Sequence, residues 1–62
     1  MKYIAKIYSS STGHFVNQIS EATYNRILEA AHLATHFNHA SAAIYQVHEK
    51  RERFVTTLNM HH

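Results

Sequence analysis

The 62-residue chain has no cysteine, no proline, no tryptophan and a single glycine. It has no aspartate either, so its carboxylates are Glu21, Glu29, Glu49 and Glu52. Each absence excludes something. Without cysteine there is no disulfide and no thiolate ligand, and the redox compartment cannot be inferred. Without aspartate or cysteine neither a Ser–His–Asp nor a Cys–His arrangement can be assembled, and only serine with histidine and glutamate is left formally. One glycine, Gly13, makes no phosphate-cradling loop. With no proline as well, there is no disordered linker. No apolar run approaches the roughly 20 residues of a membrane span, and the N-terminus lacks a signal-peptide pattern. The expectation is a soluble, cytoplasmic, non-enzymatic protein. Charge is weak too: the formal net value is +2, with seven histidines in reserve. That permits contact with nucleic acid but does not argue for it, because ribosomal or histone-like chains are far richer in Lys and Arg.

What is present reads as one small domain, residues 1–62. A chain this short buries only about 60% of the surface its unfolded form exposes. Small domains usually add disulfides, a metal or a partner subunit, and the first is excluded. The organising stretch is Ser20 to about Asn38, SEATYNRILEAAHLATHFN, with helical periodicity. Tyr24, Ile27, Leu28, Ala31 and Ala34 fall on one side, and Ala30, Leu33 and Phe37 widen that arc. Glu21, Asn25, Glu29, His32, His36 and His39 collect opposite. Ser20 is the expected N-cap, with Glu21 at the positive end of the dipole. Asn38 or His39 would take the left-handed C-cap. The alanines would let the helix lie close to a flat partner, most simply a sheet.

Four strands are expected around that helix. Lys2–Tyr8 alternates, with Tyr3, Ala5 and Ile7 on one face and Lys2, Ile4, Lys6 and Tyr8 on the wetter one. Ser9–Gly13 is a turn cluster, and His14–Ile19 pairs back. After the helix come Ala42–Glu49 and Arg53–Met60, joined by a tight turn at Lys50-Arg51 or a longer loop over Glu49–Glu52. With the tight turn, Ala43, Tyr45, Val47, Phe54 and Leu58 would lie under the helix, and Ile44, Gln46, His48, Arg53, Val55 and Thr57 would point away. No internal repeat is evident. The fold class is α+β, β-β-α-β-β: a single antiparallel-type sheet with one helix packed on one face.

One helix covers one face, so the other is left as a basic surface with interleaved aliphatics, the kind of surface on which something docks. The candidate contact set is Lys2, Lys6, Tyr8, His48, Lys50, Arg51 and Arg53. Cations and an aromatic there could also serve single-stranded nucleic acid directly, although the aromatic pattern of RNA-recognition sheets is absent. A second candidate is His32-x-x-x-His36-x-x-His39, spaced so that neighbouring imidazoles on one stripe could share a zinc ion, with Glu29 one turn earlier. The bland reading is a solvated helix face, and no other cofactor is suggested. His61 and His62 are given no role.

The segments KYIAKIY, GHFVNQISEA, RILEAA (Arg26–Ala31) and AIYQVHE follow a layout that resembles small phage proteins which disable host machinery. The plan is similar to that of type I anti-CRISPR proteins and of the small phage inhibitor of bacterial RNA polymerase. The resemblance covers most of the chain and is one of layout. It implies a stoichiometric inhibitor occupying a nucleic-acid-binding or catalytic groove on a host protein. A homodimer through either surface is the further expectation about partners.

Overall fold

The computed structural model describes residues 1–58, the side chains of Phe37 and Asn38 excepted. Met60, expected in the fourth strand, and His61 and His62 lie outside the described residues, as does the Phe37 side chain expected at the margin of the helix arc. The order is β1 (Lys2–Ser9), β2 (Phe15–Glu21), α1 (Tyr24–Asn38), β3 (Ala40–His48) and β4 (Arg51–Leu58). The strands form one sheet in the order β2-β1-β3-β4. Every neighbour is antiparallel. The fold is α+β, with α1 across one face.

The helix ends as expected and begins later. Thr23, not Ser20, is the N-cap, its hydroxyl accepting from the Arg26 amide at 3.3 Å. Ser20 and Glu21 instead complete β2, paired with Ile4 and Tyr3. Extending the ladder satisfies more backbone groups of β1 than an earlier helix would, and Glu21 is thereby removed from the first helical turn. At the other end His39 takes the left-handed conformation (φ 49°), and its amide donates to the Thr35 carbonyl.

On the helix side, Ala5, Ile7, Ala40, Ala42 and Ile44 form a floor of mostly small side chains against Ile27 and Ala31. Tyr3, Ile19, Leu28, Ala34 and Leu58 pack at its margin. Ile27 and Ile44 are the largest fully buried side chains, each contributing roughly 1.5–3 kcal/mol. This corrects the expected assignment of β3. Ala43, Tyr45 and Val47, expected under the helix, lie on the open side, opposite Lys6, Ile4 and Lys2. The side of β3 under the helix carries Ala40, Ala42 and Ile44, so Tyr45 and Val47 are turned outward. Thr35 also enters this interface, 2% exposed, its hydroxyl donating to the His32 carbonyl at 3.1 Å. Tyr24 and Leu33, expected in the buried arc, are 38% and 52% exposed. Tyr24 closes over Tyr3 with ring centroids 5.6 Å apart.

The β3–β4 turn falls one residue earlier than expected, at Glu49-Lys50. Both have positive φ (51° and 67°), and His48 pairs with Arg51 across them, the signature of a type I′ hairpin. Register also shifts inside each outer strand. Ile7 pairs with Asn17 but Tyr8 with Phe15, and Ile44 pairs with Thr56 but Tyr45 with Phe54. Val16 and Val55 are therefore the extra residues of two β-bulges. A bulge reverses the side on which later residues fall, and this moves Phe54 away from Leu58 to the open face.

Those two bulges correct the reading that the chain has no repeat. Ala5, Ile7 and Tyr8 correspond to Ala42, Ile44 and Tyr45, while Phe15 and Val16 correspond to Phe54 and Val55. Ile19 corresponds to Leu58. The pairings correspond as well: Ala5 with Ile19 and Ala42 with Leu58, Lys6 with Gln18 and Ala43 with Thr57. β1–β2 and β3–β4 are one hairpin built twice. Between them Ala5 pairs with Ile44 and Ile7 with Ala42 about the central pair Lys6–Ala43. Exchanging the hairpins maps this ladder onto itself, so a pseudo-twofold axis stands perpendicular to the sheet at Lys6–Ala43.

Candidate functional site

Paired residues in an antiparallel sheet share a side, so the ladders define the open face. β1 contributes Lys2, Ile4, Lys6 and Tyr8, and β3 contributes Ser41, Ala43, Tyr45 and Val47. The outer strands add Phe15, Gln18 and Ser20 on one flank and Glu52, Phe54 and Thr57 on the other. Two edge-on aromatic pairs dominate. Tyr8 meets Phe15 with centroids 6.0 Å apart at 78°, and Tyr45 meets Phe54 at 5.8 Å and 74°. They are the same pair in the two hairpins. Phe15 and Phe54 are 57% and 58% exposed, whereas Ile4 and Ala43 beneath are buried.

The cationic character expected of this face is mostly gone from it. Lys6 reaches across the Tyr45 ring, its Nζ 4.8 Å from the centroid, to the Glu52 carboxylate at 3.0 Å. That hydrogen bond and the adjacent negative charge hold the Lys6 pKa above its ordinary value, against a smaller opposing effect of desolvation. The ammonium is thus present at neutral pH but directed to a carboxylate of the same molecule.

The seven-residue contact set is divided by the structure. Lys2, Lys6 and Tyr8 lie on the open face as expected. His48 and Arg53, expected there too, pair with Arg51 and Gln46 and share the helix side of the sheet, beyond the part that α1 covers. At this end of the sheet Met1, Gln46, His48, Arg51, Glu52 and Arg53 line a shallow hollow, and the Gln46 amide donates toward the Met1 sulfur and the Tyr3 hydroxyl. Lys50 occupies the turn at the tip. The aromatic and acidic residues that give the face its character, Phe15, Tyr45, Phe54 and Glu52, were absent from the set. The signal that could have found three of them is the recurrence of Ile-Tyr and Phe-Val in both hairpins.

The histidine stripe is brought together in part. His32 and His36 stack with centroids 5.7 Å apart at 19°, as neighbours one helical turn apart should. His39 is drawn away into the left-handed cap. Among the described residues no group of three or more His or Glu side chains is placed to hold a metal ion, so the geometry offers two imidazoles where a structural zinc site uses four ligands.

Fold and site together define a small sheet-and-helix module with an uncovered aromatic face. No helix among the described residues is long and apolar enough to cross a membrane. No family model, no curated protein and no solved structure matches the chain.

Proposed function

We propose that this is a non-enzymatic binding module that docks the open face of its sheet on another protein. The observation that carries this reading is the exposure of Phe15 and Phe54 over a sheet whose opposite side is already packed. Exposed aromatics clustered on one surface are what protein interfaces use as anchors. The layout shared with small phage inhibitors supports a host protein of nucleic-acid metabolism or defence as the target.

A second reading, direct binding of single-stranded nucleic acid, is favoured by the same aromatics, since bases stack on such rings. Charge weighs against it. Lys6 is engaged with Glu52, and Arg51, Arg53 and His48 lie on the other side. A mobility-shift titration over salt separates the two: phosphate contacts should show as binding that weakens steeply with salt.

Photo-cross-linking tests the first reading. A benzophenone amino acid in place of Phe54, on the face, and in place of Leu33, on the helix side, is irradiated in bacterial host cells. Docking predicts a discrete protein adduct from position 54 that Tyr45→Ala abolishes. An adduct only from position 33 would sink the assignment of the face.

A further inference from the structure

We propose that, in the isolated protein, the open face is covered by the open face of a second copy, two sheets stacking with both helices outward. This rests on the reading of that face as a protein-docking surface and names its first occupant. Symmetry is the strongest support. A twofold dimer makes every contact twice. Here the face already contains its own pseudo-twofold at Lys6–Ala43, relating Tyr8–Phe15 to Tyr45–Phe54. When two such faces stack with their axes aligned, a contact made by the Tyr–Phe pairs off the axes recurs in four near-equivalent places. One favourable aromatic contact of that kind therefore counts up to fourfold, an advantage that an unrelated flat partner lacks.

Area and charge agree. Four strands about 4.8 Å apart, with eight residues in β1 rising about 3.3 Å each, make a face on the order of 500 Å². Stacking two covers about 1,000 Å² in total, the lower margin of a specific interface. The Lys6–Glu52 ion pair keeps the centre close to neutral, so stacked copies do not oppose like charges there. The need for a cover is also physical. The helix-side core is built from isoleucines and alanines, while both described phenylalanines lie outside it.

Sedimentation equilibrium on the full chain tests this. The wild type should pass from monomer to dimer as concentration rises toward about 1 mM. Phe15→Ser and Phe54→Ser should each weaken the dimer, as pseudosymmetric positions on its face, and the double variant should raise the dissociation constant at least about tenfold. Leu33→Ser, on the helix side, should leave it unchanged. Both phenylalanines are more than half exposed, so the variants should keep the wild-type circular dichroism. Should the double variant unfold, Gln18→Glu with Thr57→Glu places charge on the same face and should dissociate the dimer as well. A wild type that stays monomeric throughout overturns the inference, as does a dimer weakened by Leu33→Ser and not by the face variants. If the chain is monomeric while the position-54 adduct still forms, self-association alone falls; if the adduct is missing too, the docking reading falls with it.

Discussion

Among the described residues, three that are not glycine hold positive φ: His39, Glu49 and Lys50. At 49–50 a type I′ turn is imposed on a Glu-Lys sequence for which Asn-Gly is the favoured chemistry. The double change Glu49→Asn, Lys50→Gly should raise stability by about 1 kcal/mol, read as a higher urea midpoint with unchanged m-value. A lower midpoint would mean that these side chains contribute more than their backbone conformation costs. Lys6 supports a prediction of a different kind. Its folded pKa is raised, so its contribution is complete below the unfolded value of about 10.4 and is lost as pH climbs through the folded one. Stability of the wild type should therefore fall in that alkaline range more than that of Glu52→Gln. The two should run parallel between neutrality and the onset of lysine titration. The effect will be small, since the pair is partly solvated.

At the scale of elements, the caps separate what was legible from what was not. The end of α1 and its apolar stripe through Ile27 and Ala31 follow from periodicity. The start does not, because Ser20 and Thr23 are both acceptable caps and the choice is made by β1, which keeps β2 paired through Glu21. Thr23→Ala should accordingly cost about 1 kcal/mol, and Ser20→Ala less than about 0.5 kcal/mol, measured side by side in denaturant. The strands show the same division. Alternation along β1 assigned Ile4, Lys6 and Tyr8 to the open face correctly. In β4 the extra residue at Val55 reverses the alternation, and a bulge has no composition of its own to announce it. In β3 the face expected from a tight turn at Lys50-Arg51 is the wrong one: Ala40, Ala42 and Ile44 lie under the helix, and Ala43, Tyr45 and Val47 lie opposite.

For the whole molecule, the layer argument was legible: one helix cannot cover both sides of a sheet. The character of the uncovered side was not, since it depends on two bulges and on the side that β3 presents. The repeated hairpin was hidden as well. α1 separates its copies, and the connection Ser9–His14 is shorter than Gln46–Arg53.

That duplication places one position under a special constraint. If the inner strands are interchangeable, β1 of one molecule can take the place of β3 beside β1 of another, and chains could exchange hairpins. Such a mispaired ladder would set Lys6 directly opposite its own counterpart, a like-charge contact that opposes it, whereas the correct ladder sets it opposite Ala43. Lysine on the axis thus guards against exchange. Lys6→Ala, refolded at high concentration, should yield strand-exchanged oligomers that dilution dissolves slowly, while wild type refolded alongside should yield none.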